Sequence, residues 1–107
     1  ELGAGTGAVS IGLAKLGASV FATDLKGPVL ENLQHNVDQN GVSERVQVLP
    51  WDWDDAPPEQ VRAAGVQFCI GSELAYKGTG ESLCRALLKL RALSPEVEIY
   101  LVCQELG

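Results

Sequence analysis

The hydrophobic pattern of the chain changes repeatedly between compact apolar runs and stretches with helical spacing. The compact runs have the length of buried strands and lie at 19–23, 45–49, 66–70 and 98–103. The stretches with helical spacing, the third of them short, lie at 7–16, 28–39, 59–64 and 81–93. Strands that alternate with helices are typical of a parallel sheet covered by crossover helices, so we predict an α/β fold.

Apolar side chains predict which face of each helix packs on the sheet. In the second helix Leu30, Leu33 and Val37 share one face. Pro28 suits the first turn of that helix. Gly17 has the position of a C-terminal cap for the first helix. The apolar side chains expected to pack inward from the first and fourth helices are Val9, Ile11, Leu13, Leu16, Leu83, Leu87, Leu88 and Leu90.

Glycines at alternate positions mark the connection between a first strand, ending near Glu1, and the first helix. This glycine turn (residues 1–7, ELGAGTG) lets the backbone approach a ligand closely, because no side chains stand in the way. Gly3, Gly5 and Ala8 also match the G-x-G-x-x-[GA] pattern of dinucleotide binding. The turn alone therefore leaves NAD, another nucleotide cofactor and a purely geometric turn open.

Two carboxylates add information about the ligand. Glu1 precedes the first glycine by two residues, where its negative charge would repel a pyrophosphate and favour a cation. S-adenosylmethionine (SAM) carries both an ammonium and a sulfonium. Asp24 ends the strand at 19–23, at about the 20-residue spacing from which an acid accepts hydrogen bonds from ribose hydroxyls. That role suits NAD and SAM alike, and an aspartate that caps the next helix is the alternative.

Three segments together resemble a known family. The acid followed by G-x-G-x-G in the glycine turn resembles the first motif of the class I, seven-strand methyltransferases. Residues 49–52 and 71–76 are similar to the third and fourth motifs of the methyltransferase-like protein lysine methyltransferases, which carry a D-x-x-Y signature. This chain has Glu73 where that signature has aspartate, so the longer side chain leaves the acceptor open between lysine and another nitrogen, such as histidine.

The resemblance implies a Rossmann-like, three-layer α/β/α sandwich. Its parallel sheet would have the strand order 3-2-1-4-5, where the strand that ends at Glu1 is the first. We expect residues 1–107 to be one SAM-binding methyltransferase core, a fragment of a longer protein truncated at both ends, without the family's C-terminal antiparallel strands or its N-terminal cap.

The resemblance also implies the residues that contact the cofactor. They are Glu1, Gly3, Ala4, Gly5, Asp24, Leu25, Trp51, Asp52 and Ser72. Trp51 would lie against the adenine, as an indole can stack on a purine, and a loop anchor packed on the core is the alternative. Asp52 would accept a hydrogen bond from the adenine amino group, and the small side chain of Ser72 would leave room for the ligand.

Methyl transfer from SAM requires little acid–base chemistry, because the sulfonium is already an activated leaving group and S-adenosylhomocysteine departs as the product. We expect Glu73 to bind the incoming amine and Tyr76 to line the acceptor channel as the two catalytic residues, with purely structural roles as the alternative. His35 lies far in sequence from every motif, so we expect a structural role for it.

Composition narrows the partners. The formal net charge of -6 argues against binding of nucleic acid phosphates and favours a basic protein substrate that presents a lysine. No apolar run is long enough to cross a membrane. Cys69, Cys84 and Cys103 have no metal-like spacing, and we expect buried free thiols in a cytoplasmic protein, with the nucleus as a second location.

These observations predict a SAM-dependent protein-lysine N-methyltransferase. Three alternatives remain at this stage: a protein-histidine or small-molecule N-methyltransferase, an NAD-binding domain, and a non-catalytic binding module with the same fold. The sequence does not determine the oligomeric state.

Overall fold

Helices and strands alternate along the chain, as the hydrophobic pattern predicts. The computed structural model describes residues 1–74 and 78–103. Within these ranges the elements are α1 (Ala8–Lys15), β1 (Val20–Asp24), α2 (Pro28–Gln39), β2 (Val46–Pro50), α3 (Glu59–Ala64), β3 (Phe68–Ser72), α4 (Gly80–Leu93) and β4 (Glu98–Val102). The chain divides into two compact units, Glu1–Asp52 and Trp53–Gly107. A single domain over the whole chain stays a prediction.

In the first unit three backbone segments pair in parallel: β1, β2 and the segment at Glu1. Strands β1 and β2 pair in parallel, with Val20 opposite Val46. Glu1 lies on the other side of β1, because its nitrogen donates to the carbonyl of Phe21 at 2.6 Å and its carbonyl accepts from the nitrogen of Thr23 at 3.0 Å. These two bonds are those of a residue in a parallel ladder. The strand that the pattern places before the glycine turn therefore pairs with β1.

Helix α2 supports the prediction of its buried face and of both its ends. It begins at Pro28 and ends at Gln39, and Leu33 and Val37 are fully buried while Leu30 packs against the same core. The buried residues of this core are Ala4, Ile11, Ala14, Ala22, Leu33, Val37, Val42 and Val46.

The buried face of α1 differs from the predicted one. Ile11 is buried, but Val9 and Leu16 are exposed, and the small side chains of Ser10 and Ala14 are buried instead. A helix that lies close to a sheet admits small residues on its inner face, and a count of apolar residues alone does not detect that face. Gly17 follows the helix with φ 103°, as its predicted capping position requires.

The second unit also contains a parallel pair of strands. Strands β3 and β4 align Phe68 with Glu98 and Ser72 with Val102. The prediction began β3 two residues early and left Ser72 in a loop. Helix α4 buries Leu83, Ala86 and Leu90, whereas Leu88 is exposed, so its predicted contribution to the core is wrong.

The pairings confirm an α/β fold with parallel strands, while the complete order 3-2-1-4-5 stays a prediction. No helix in the described ranges is both long and apolar enough to cross a membrane. Of the three cysteines only Cys69 is buried, and burial raises the pKa of its thiol. Cys84 and Cys103 are exposed, contrary to the expectation.

Candidate functional site

The glycine turn follows a backbone path that requires glycine. Gly3, Gly5 and Gly7 have φ angles of 56°, 58° and 89°, in the left-handed region that other residues rarely adopt. A Cβ built on Gly7 would lie 2.6 Å from Cδ1 of the fully buried Leu33, so packing also excludes a side chain there. At Gly5 the nearest atom to such a Cβ is the Gly3 carbonyl oxygen, 4.0 Å away, so the backbone is open on that side.

Asp24 is joined to the glycine turn by a hydrogen bond. Its Oδ2 accepts from the backbone nitrogen of Gly5 at 2.9 Å, and its Oδ1 accepts from Leu25 at 2.7 Å. Helix α2 has Gly27 at its N-cap and no side-chain cap, so the alternative in which Asp24 caps that helix is wrong. A carboxylate has about four acceptor positions, and the predicted bonds to ribose hydroxyls remain feasible.

Side chains that the sequence did not single out also hold the turn, and two of them lie on helices. The hydroxyl of Ser10, a fully buried residue, donates to Oε1 of the partly buried Glu1 at 2.7 Å. The amide of Asn36, on α2, donates to the carbonyl of Thr6 at 2.8 Å. Both are polar residues placed inside helices, and this is the only sequence signal that could have drawn attention to them.

Trp51 and Asp52 end the first unit. The backbone nitrogen of Trp51 donates to the carbonyl of Asp24 at 2.9 Å, which extends the pairing of β2 with β1. Trp51 is only 4% exposed, as its alternative role of loop anchor requires, and stacking on adenine stays a prediction. Asp52 is exposed, and Leu25 is 57% exposed.

In the second unit, charged side chains attach residues 53–55 to α4. Nζ of Lys89 donates to the carbonyls of Trp53 and Asp55, at 2.7 and 2.9 Å. Asp54 pairs with Arg85 at 2.8 Å, and the hydrogen bond from Arg85 lowers the pKa of the Asp54 carboxyl.

Glu73, the predicted amine-binding residue, directly follows β3. Its φ is 57°, which makes it the one non-glycine residue with positive φ among those the structure describes. Its backbone nitrogen donates to the carbonyl of Val102 at 2.7 Å, and its side chain is exposed. A non-glycine residue in this conformation is strained, and such residues are found often at functional sites.

Packing accounts for the turn of the chain at Glu73. Leu74 is buried, and a Cβ on Gly71 would lie 2.5 Å from Cδ1 of Leu74. The Thr79 hydroxyl donates to the Leu74 carbonyl at 2.8 Å. Tyr76, the second predicted catalytic residue, lies outside the described residues.

The structure thus brings some predicted residues together. Glu1, Gly3, Ala4, Gly5 and Asp24 meet at the glycine turn in the first unit. In the second unit Ser72 and Glu73 are consecutive at the carboxyl end of β3. Binding roles for all of these residues stay predictions.

Comparison with known proteins identifies the family. Residues 1–105 match the family model described as lysine methyltransferase. Protein N-lysine methyltransferase METTL21A of Danio rerio is 40% identical over 82 residues, which are 71% of this chain and 35% of that protein. Protein-lysine methyltransferase METTL21E of Bos taurus is 41% identical over 81 residues, 71% of this chain and 28% of the relative.

A shorter match extends the similarity to another methyltransferase. Ribosomal protein L11 methyltransferase of Exiguobacterium sp. is 51% identical over 49 residues, 45% of this chain and 16% of that protein. The chain therefore spans about a third or less of the length of these relatives. Because the family model covers nearly all of its residues, the chain belongs to the lysine methyltransferase family.

Proposed function

We propose that this chain forms the SAM-binding core of an enzyme that methylates a lysine side chain of a protein substrate. The observation that carries the proposal is the joining of the glycine turn to Asp24 through the Gly5 nitrogen, with the Glu1 carboxylate at the start of the same turn. Family membership supports methyl transfer, and the names of the METTL21 relatives support a lysine acceptor.

The polar groups at the turn suit SAM better than a dinucleotide. Glu1 supplies negative charge, which attracts the ammonium of SAM and repels a pyrophosphate. Asp24 keeps free acceptor positions for the ribose hydroxyls, and the open backbone at Gly5 admits the ligand closely. In the same unit, Trp51 and Asp52 would add contacts to the adenine. When bound, SAM supplies a methyl group activated by its positively charged sulfur.

The part assigned to Glu73 is to hold the acceptor amine. Its exposed carboxylate follows the carboxyl end of β3, the end of a parallel strand where α/β proteins bind ligands. A carboxylate attracts a lysine ammonium and accepts a hydrogen bond from the amine after the proton has left. Tyr76 would present an aromatic face to the same cation. The transfer itself then depends on alignment of nitrogen and methyl group.

We also propose the sheet order 3-2-1-4-5 for the complete fold. The pairing of Glu1 with β1, of β1 with β2, and of β3 with β4 supports it. A crystal structure of the full-length protein would test the order directly, and a different neighbour for Glu1 or for β3 would refute it.

The activity can be tested with full-length protein, isotope-labelled SAM and cell extract, followed by identification of the labelled residue by mass spectrometry. We expect label on a lysine of a protein, and its loss with Glu73→Gln. Label on histidine or on a small molecule would replace the proposed acceptor. Failure to bind SAM in a calorimetric titration would reject the methyltransferase proposal, and a parallel titration with NAD would separate a dinucleotide site from a non-catalytic module.

A further inference from the structure

Ser10 is a polar residue on the buried face of a helix. It is fully buried, and its neighbours on that face of α1 are the apolar Ile11 and Ala14. Serine is a weaker helix former than alanine, and a buried hydroxyl needs a hydrogen-bond partner. The partner here is the Glu1 carboxylate, which the hydroxyl contacts at 2.7 Å.

The backbone of Glu1 does not need Ser10 for its position. Its nitrogen and carbonyl oxygen are both bonded to β1, through Phe21 and Thr23. These bonds leave the side-chain torsions of Glu1 undetermined. The bond from Ser10 acts on one carboxylate oxygen, so it restrains the direction of the side chain.

The chemistry of the donor matters as much as its place. A lysine or arginine at position 10 would neutralise the carboxylate, whereas a hydroxyl donates a hydrogen bond and leaves the negative charge in place. The result is an anionic group at the beginning of the glycine turn whose direction the Ser10 hydroxyl helps to hold. Such an arrangement suits a cationic ligand group, since it needs no reorientation when the ligand arrives.

We propose that Ser10 is a positioning residue that orients the Glu1 carboxylate toward the ammonium at the amino-acid end of SAM. This inference rests on the proposed function. A residue that positions Glu1 affects binding only at the amino-acid end of the cofactor. A residue that contributes generally to folding would affect binding of the whole cofactor.

Two ligands distinguish the two ends of the cofactor. S-adenosylhomocysteine carries the amino-acid group, and 5′-methylthioadenosine has the adenosine and sulfur but lacks that group. Full-length wild-type protein, Ser10→Ala and the exposed-serine control Ser43→Ala would be titrated calorimetrically with both. We expect Ser10→Ala to lower the affinity for S-adenosylhomocysteine roughly three- to tenfold and to leave the affinity for 5′-methylthioadenosine unchanged, because Ser10 acts on the ligand only through Glu1 and this fold-change corresponds to about one ordinary hydrogen bond.

A double-mutant cycle with Glu1→Gln tests whether Ser10 acts through Glu1. Once the carboxylate is an amide, we expect Ser10→Ala to have no further effect on S-adenosylhomocysteine affinity. Thermal unfolding of each variant reports folding separately. If the alanine variant is unstable, Ser10→Cys, which keeps a similar volume and donates only weakly, permits the same comparison.

The outcomes are separable. The positioning inference would be overturned if Ser10→Ala lowered the affinity for both ligands equally or for neither, or if the two substitutions were simply additive in the cycle. None of these results would affect the proposed function. Failure of wild-type protein to bind S-adenosylhomocysteine would instead overturn the proposed function.

Discussion

The two units hold their candidate site segments by different means. In the first unit the glycine turn depends on glycines with positive φ and on hydrogen bonds from the nitrogen of Gly5 to Asp24 and from the nitrogen of Ala4 to Thr23. In the second unit a strained glutamate, Glu73, follows β3 beside a buried leucine, and charged side chains attach residues 53–55 to α4.

This difference bears on which positions can vary. Positive φ angles at Gly3, Gly5 and Gly7, together with close packing at Gly7, leave few substitutions at the glycine turn, as the proposed cofactor site would require. An exposed side chain after β3 can change without disturbing a core. Glu73, where the motif resemblance places an aspartate, is such a position, and under the proposed function it meets the substrate.

The largest expected effect is on catalysis in the second unit. Glu73→Gln keeps the size of the side chain and removes its charge, so under the proposed function the acceptor amine would lose its electrostatic partner. We expect methyl transfer to fall on the order of 100-fold while SAM affinity is unchanged. Steady-state rates together with calorimetric titration would check this, and Glu73→Asp, the family residue, is the matched control. Full activity of Glu73→Gln would refute the assignment.

The second effect is on stability and concerns the packing of the glycine turn. Gly7→Ala places a Cβ 2.6 Å from Leu33 Cδ1 at a φ of 89°, so we expect a loss of about 2 to 4 kcal/mol in unfolding free energy. Gly12→Ala is the control, because no atom lies within 4 Å of its Cβ and α1 would gain about 0.5 to 1 kcal/mol. Chemical denaturation measures both, and similar values for the two variants would contradict the contrast between them.

A smaller effect should come from relief of strain in the second unit. Glu73→Gly removes the penalty for positive φ, which is partly offset by the greater freedom of glycine when unfolded. We expect a gain of about 0.5 kcal/mol in unfolding free energy together with loss of methyl transfer. If chemical denaturation instead gives a lower unfolding free energy for Glu73→Gly, the Glu73 side chain stabilises the fold, and its positive φ is not a strain retained for function.

The smallest effect concerns the exposed pair of Asp54 and Arg85, and it depends on pH. Arg85 lowers the pKa of the Asp54 carboxyl, so the folded protein binds this proton more weakly than the unfolded chain does. The stabilisation is complete above the ordinary aspartate pKa and is lost as the pH falls through the lowered pKa. Asp54→Asn should lower Tm slightly at neutral pH and leave it unchanged in strong acid. A difference that persists in strong acid would contradict an electrostatic origin.

The sequence alone determined features that depend on local pattern. The start of α2 at Pro28, its buried Leu33 and Val37, and the cap at Gly17 follow from helical spacing and backbone preference within a few residues. The glycine turn was equally evident, because glycines at alternate positions between a strand and a helix are typical of a ligand-binding turn. The motif resemblance then led to the lysine methyltransferase family, which the family model confirms over residues 1–105.

Tertiary structure decided the features that join distant residues or select one face of a short element. The bond between Gly5 and Asp24 spans 19 residues, and the bond between Ser10 and Glu1 crosses from a helix to a strand. The burial of Ser10 in place of Val9, and the exposure of Leu88, depend on which face of each helix is covered in the folded chain. Periodicity records which residues share a face, but the distance between packed elements exists only in the folded chain, so these contacts could not be derived from the sequence.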